Sequence, residues 1–267
     1  MIPTSLGPLS VTRHGLGGPA LVLWHSLFLD GRSFDRVLPE LTRQRTVFVV
    51  DGPGHGASPG PDVPYDLDDC ADAASQILDQ LGQDSVDWVG NAWGGHVGVA
   101  LAARAPSRVR SLAAVSAPME ALRGLARLKV AALVSVFGAV GWRPWLLETV
   151  LDALLLPEVR AKHPEVAAYV AEATTAPGRE RTLRAMKALM LGRESLVERL
   201  AAIEAPTLFV TSARDPLWLP EVAAAQILRV RRGRVVTLTG TRHVPSLENP
   251  EGFSQLLTDW LDNSGRN

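Results

Sequence analysis

Between the apolar run Ser85 to Val89 and an alanine-rich stretch starting at Trp93, the chain reads Gly90-Asn91-Ala92-Trp93-Gly94-Gly95. Glycines at 90, 94 and 95 have a steric purpose here: a strand has to turn sharply into a helix while the two backbones stay close together. The apex of that strained turn is Ala92. Such a strand, sharp turn and helix commit this part of the chain to a β–α unit.

The flanking sequence repeats the unit. Ala20 to Trp24, Thr46 to Val50, Ser85 to Val89 and Ser111 to Val115 are short apolar runs that end in turn residues, with Asp87 interrupting the third. Runs of this kind suit parallel strands covered on both faces. Between them lie helix-like stretches at Gly31 to Arg43, Asp66 to Leu81 and Trp93 to Ala105. Asp66 is placed to cap the second, with Asp68 and Asp69 where the helix dipole favours acids. From Pro118 to Ile203 the strand signal stops, and the chain reads as helices broken near Gly141, Pro157, Pro164 and Pro177. Strand chemistry returns at Ala205 to Val210 and Arg234 to Leu238, before a final helix at Pro250 to Leu261. The expected fold class is α/β: a mostly parallel central sheet flanked by helices, with residues 1–117 and 204–267 as core domain and 118–203 as an inserted helical cap.

Composition narrows the function classes. At 267 residues, 46% hydrophobic and 21% charged, the chain is an ordinary globular one. A net charge of −1 gives no electrostatic reason to expect nucleic acid or an anionic membrane as partner. The single cysteine, Cys70, excludes an intrachain disulfide and a multi-cysteine metal site. No G-x-G-x-x-G follows the first strand and there is no P-loop, so no cofactor and no metal are expected. The amino terminus has no signal-peptide pattern, and the apolar stretch Val130 to Val140 is too short to span a bilayer. The expected location is the cytoplasm.

Four local motifs carry the chemistry. Trp24-His25-Ser26-Leu27 ends one strand, and Asp51-Gly-Pro-Gly-His55-Gly-Ala-Ser58 follows the next. The third motif is the turn around Ala92. The fourth pairs Ser212-Ala-Arg-Asp215 with Gly240-Thr-Arg-His243-Val-Pro, an acid after one late strand and a histidine after the following one. The turn at 90–94 has the G-x-S-x-G spacing of a nucleophile elbow, with alanine where serine would stand. Nucleophile position, Asp, then His is the chain order of the α/β-hydrolase fold. Over essentially its whole length the sequence resembles that superfamily. The loop Asp51 to Ser58 and the ending His243-Val-Pro-Ser-Leu-Glu-Asn-Pro look most like its branch of enol-lactone hydrolases, C–C bond hydrolases and esterases.

The resemblance implies roles position by position. His243 is the general base, and Asp215 orients it and supports the imidazolium without taking the proton. The backbone N–H groups of Leu27 and Trp93 form an oxyanion hole. Ala92 occupies the nucleophile position with a methyl group, which cannot attack a carbonyl. Candidate substrate contacts are His25 and Ser26 in the first loop, Trp142 and Trp145 in the cap, and Trp218 beside the acid.

Blander roles stand beside these. His25 and His55 lie in turns, where bonding to backbone is the commoner function. His96 falls in the first turn of the helix after the elbow, as a packed core residue. Trp142 and Trp145 serve equally well as anchors of cap helices. Glu120 is an alternative acid, and Arg123, Arg127 and Arg143 are either solvent-facing charge or ligands for a carboxylate.

Three readings follow from Ala92. In one, serine has been replaced and the protein is a serine-type hydrolase seen without its reacting atom. In another, alanine is native and the His243–Asp215 pair works as a general base in elimination, isomerisation or cofactor-free oxidation. In the third, the capped pocket binds a ligand without chemistry. All three fit a small-molecule partner, largely apolar, with an ester, lactone or related carbonyl group. Oligomeric state is not encoded in any of these motifs.

Overall fold

The computed structural model describes residues 1–264. Among these residues seven strands form one sheet: β1 (Val11–His14), β2 (Ala20–Trp24), β3 (Thr46–Val50), β4 (Val86–Asn91), β5 (Val109–Val115), β6 (Thr207–Ser212) and β7 (Gly233–Leu238). Their spatial order is β1-β3-β2-β4-β5-β6-β7. Every neighbouring pair is parallel except β1–β3, which is antiparallel.

β2 and β3 are buried at every residue and match the apolar runs residue for residue. Alternation along the strand sends successive side chains to opposite faces. Val22 and Trp24 join a core with Trp88, Phe209 and the helices of one face, while Leu21 and Leu23 join Phe34, Phe253 and Trp260 on the other. Each such side chain contributes about 1.5–3 kcal/mol by leaving water.

The helices of the sheet domain are α1 (Leu38–Leu41), α2 (Leu67–Gln80) and α3 (Trp93–Arg104) in the first half. The stretch expected to be one helix from Gly31 to Arg43 is instead a 3-10 turn, Gly31–Phe34, followed by α1. Pro39 has no N–H to donate, so the first turn cannot propagate through it and the helix restarts at Leu38. α2 begins as the sequence indicates. Asp66 accepts from the Asp69 N–H at 3.0 Å and Asp69 accepts from the Asp66 N–H at 2.9 Å, a reciprocal capping box. Cys70 lies buried on the inner face of α2, where burial pushes its thiol pKa up and keeps it unreactive.

Between β5 and β6 the described residues contain no strand. They form α4 (Gly124–Val140), α5 (Pro144–Leu154), α6 (Pro157–Lys162), α7 (Pro164–Thr175) and α8 (Gly178–Met186), then a π-helical turn at Lys187–Leu191 and a 3-10 turn at Val197–Ala202. After β6 come α9 (Pro220–Ile227), α10 (Pro245–Glu248) and α11 (Pro250–Ser264). The segment between β5 and β6 rests on loops at the carboxyl ends of the strands. Tyr169 donates to Asp30 at 3.0 Å, Arg32 pairs with Glu172 at 3.1 Å, and the Leu156 N–H donates to Glu248 at 2.8 Å. Among the described residues no helix is long and apolar enough to cross a membrane.

Candidate active site

The carboxyl ends of β2, β4 and β5 share one feature. Phe28, Ala92 and Ser116 are the non-glycine residues with positive φ among those described, at 73°, 46° and 48°. Left-handed backbone costs a side-chain-bearing residue about 1–3 kcal/mol and persists only where the surroundings enforce it. Here the neighbours do so. The Ala92 N–H donates to the Val115 carbonyl at 2.7 Å, the Gly94 N–H to the His25 carbonyl at 3.1 Å, and the Ser116 N–H to the Val210 carbonyl at 2.8 Å.

The glycines of the turn are sterically required. A Cβ at Gly90 would lie 2.0 Å from the Gly94 carbonyl, and one at Gly94 would lie 2.0 Å from the Trp24 carbonyl. The stitch from Gly94 to His25 brings the Leu27 loop alongside the first turn of α3. Among the described residues the Leu27 and Trp93 N–H groups have no hydrogen-bond partner, so two backbone donors remain open at the turn.

His243 and Asp215 meet although 28 positions apart: Nδ1 of the imidazole donates to Oδ2 at 2.9 Å. Both residues are buried. The other carboxylate oxygen of Asp215 accepts from the Leu217 N–H at 2.9 Å. An ionised carboxylate only accepts, so this contact makes Nδ1 the protonated nitrogen and leaves the Nε2 lone pair available. Among the described residues Nε2 has no hydrogen-bond partner.

Two residues hold the histidine against the turn: Asn91, which the sequence marks only as the neighbour of the nucleophile position, and Glu248, which it does not single out. The Asn91 side-chain amide donates to the Val115 carbonyl at 3.1 Å and to the His243 carbonyl at 3.0 Å, tying the end of β4 to the histidine loop. Glu248 accepts from the N–H groups of Arg242 at 2.8 Å and Val244 at 3.2 Å, the residues on either side of His243. Burial raises its pKa. The signal for Glu248 was present in the sequence as an acid four residues past Val244; its clamp depends on α10 folding back.

The remaining predicted residues separate into two groups. Ser26 is buried and its hydroxyl turns to the Leu27 carbonyl at 3.3 Å. Trp142 packs edge-on against Phe28 with ring centroids 6.2 Å apart, so it stands beside the Leu27 loop. Trp93 is buried, with its ring against Trp24, His25 and His55.

Three expected substrate contacts are corrected. His25 is fully buried, with Nδ1 on the Ser26 carbonyl at 2.8 Å and Nε2 accepting from the Gly52 N–H at 2.9 Å, so it has no nitrogen left for a substrate. Trp218 lies inside the core on Phe209 and donates to Gln226 at 3.0 Å. Trp145 is 55% exposed at the start of α5 and faces water rather than the site.

His55 and His96 are likewise bound to backbone carbonyls, of Pro53 at 3.1 Å and Pro118 at 2.9 Å. Burial keeps all three imidazoles neutral, lowering His25, taking His55 to about 3 and holding His96 well below its ordinary value. Glu120, Arg123, Arg127 and Arg143 are exposed. A cleft of about 550 Å³ lined by Tyr65, Asp66, Arg184 and Lys187 contains none of the site residues.

Comparison with known proteins places this geometry in context. The family model described as alpha/beta hydrolase fold matches residues 19–229. A 2-hydroxymuconate semialdehyde hydrolase of Pseudomonas sp. is 28% identical over 258 residues, covering 93% of this chain and 84% of that protein. A pimeloyl-[acyl-carrier protein] methyl ester esterase of Neisseria meningitidis is 27% identical over 246 residues, covering 90% and 76%. The enol-lactonase structure from Burkholderia xenovorans LB400 superposes with a TM-score of 0.87 at 22% identity, covering 95% of this chain and 96% of that one, a likeness of fold.

Proposed function

The chain belongs to the α/β-hydrolase fold family, and from that premise we propose that it acts on a small, largely apolar ester, lactone or related carbonyl compound at Ala92, His243 and Asp215. The observation that carries this reading is the intact His243–Asp215 pair beside a turn still held at φ 46°. A protein that only binds a ligand has no need of an intact His–Asp pair, and the strain at Ala92 costs stability. Relatives named as an esterase and a semialdehyde hydrolase support ester or carbonyl chemistry.

With a methyl group at 92, no acyl-enzyme forms. His243 Nε2 takes a proton from a water whose oxygen bonds to the carbonyl carbon. The carbonyl electron pair moves onto oxygen, where the Leu27 and Trp93 N–H groups stabilise it. As the tetrahedral species collapses, the bond to the leaving oxygen breaks and the imidazolium returns its proton to that oxygen, giving acid and alcohol. Asp215 stabilises the imidazolium meanwhile. The helices of residues 118–203 act as the cap, with Trp142 and Phe28 as an apolar wall.

A second reading rests on the same unpartnered Nε2: the base removes a proton from an acidic carbon of the substrate, without water.

The test compares the chain with Ala92→Ser on short and long nitrophenyl esters and on lactones. We expect slow turnover that His243→Ala abolishes. The serine form should give an acyl-enzyme burst and turnover at least ~10³-fold faster. If neither form hydrolyses any ester or lactone, hydrolysis is rejected. Base-dependent exchange of substrate C–H for deuterium would then establish the second reading.

A further inference from the structure

The net charge of −1 averages over a strongly uneven chain. Between Glu120 and Glu148 the sequence carries Arg123, Arg127, Lys129 and Arg143 and no carboxylate at all. Most of that stretch is α4, and α4 is turned the wrong way for a helix in water. Its inner side places Val134 and Phe137 in the core. Its outer side exposes Leu125, Leu128, Val136 and Val140, the first two at 67% of their surface. The spacing of three, then eight, then four residues keeps these side chains on one stripe. Solvated helices place polar residues on that stripe, and a continuous exposed apolar strip marks a surface that something covers. Trp145, 55% exposed, follows a few residues beyond the end of α4.

The charges say what covers it. Among the described residues Arg123, Lys129 and Arg143 form no ion pair, so their charge is uncompensated within the chain. A second copy docking through the same face would set these cations against their duplicates, which opposes association. An anionic lipid surface does the reverse. It accepts the leucine and valine stripe below its headgroups, seats tryptophan at the interface and attracts each cation.

We propose that the outer face of α4, with Trp145, docks this protein onto anionic lipid bilayers, lying in the interface and not crossing it. The helix is about 25 Å long, enough for a stable interfacial footprint. Its inner face reaches the site: Phe137 packs on Trp142 at 4.7 Å, and Trp142 on Phe28 next to Leu27. An apolar compound dissolved in the bilayer would therefore meet the cap on its membrane-facing side. Docking itself does not depend on the reaction proposed above.

Vesicle flotation of the full chain tests it without turnover, using phosphatidylcholine alone or mixed with phosphatidylglycerol. The expected result is binding to the anionic vesicles that weakens as salt rises. Lys129→Ala should weaken it roughly fivefold, and Leu125→Asp with Leu128→Asp should abolish it with an unchanged circular dichroism spectrum. Absence of binding to anionic vesicles overturns the proposal. So does equal, salt-insensitive binding to both compositions. A concentration-dependent dimer in sedimentation that Leu125→Asp with Leu128→Asp dissociates, without vesicle binding, assigns the face to a second copy instead.

Discussion

At its amino end β4 carries Asp87, and at its carboxyl end it runs into Ala92; both ends are buried and both gather distant residues, yet by opposite rules. Asp87 accepts from Arg45 at 2.9 Å, Arg110 at 3.0 Å and Ser111 at 2.8 Å, while Arg45 reaches on to Asp262 at 2.8 Å. Every charge there is answered, and the backbone departs from regular pairing only by a register shift between Val86 and Asp87. At the other end the backbone is strained, two N–H donors stay open, Nε2 of His243 has no partner, and the Asn91 and Ser116 oxygens are buried without hydrogen bonds. One end is satisfied and holds the sheet together. The other keeps unmet bonding capacity, which is what a reacting substrate can use.

The largest effect should come from the satisfied end. Asp87→Ala leaves Arg45 and Arg110 around a cavity without their shared acceptor and should cost roughly 3–5 kcal/mol in urea unfolding. A change below 1 kcal/mol would end the contrast. Next is pH. His25, His55 and His96 are held below 6.5 in the folded chain, so the unfolded chain takes up protons first as pH falls through 6.5. Stability is therefore complete above that value and declines below it, by about 1.4 kcal/mol per pH unit for each imidazole. For His55 the decline should continue to about pH 3. Unfolding midpoints measured from pH 7.5 down to 4.5 that stay level would show that these rings become charged in place.

A smaller change should appear at the strained end, with reversed sign. Ala92→Gly relieves the positive φ and should gain up to about 1 kcal/mol after glycine's entropic cost, whereas Ala102→Gly, inside the same helix, should lose about 1 kcal/mol. Equal losses at both positions would mean that Ala92 is not strained. The smallest effect is expected at the outer face of α4: Leu125→Lys should change stability by no more than about 0.5 kcal/mol, because the side chain is already in water.

The sequence was legible where neighbours in the chain settle the outcome. β2 and β3 match their apolar runs, because a strand covered on both faces has to be apolar throughout. The Asp66 cap is visible because its partner lies three residues on. β1 escaped notice because an edge strand of four residues, half-exposed and antiparallel, has neither a continuous apolar run nor a usable alternation. Asp87 looked like a flaw in a strand, since its partners Arg45, Arg110 and Asp262 come from three other parts of the chain. Trp145 is expected either at the pocket or as an anchor of a cap helix, and Trp218 at the pocket from its place beside the acid; one faces water and the other the core, because position in the chain does not say which way a helix or loop turns a ring.

The sequence by itself determined strands β2 to β7 and their alternation with helices, the glycines without which the turn at Ala92 could not close, and the chain order of that turn, Asp215 and His243. Those are local steric and periodic properties. Only the tertiary structure decided that Asn91 and Glu248 hold the histidine loop, that three strained residues line up at adjacent strand ends, and that His25 spends both nitrogens on backbone. It also decided that the apolar side of α4 faces outward. These depend on contacts between residues far apart in the chain, and burial and hydrogen-bond partnership exist only once the chain has closed on itself.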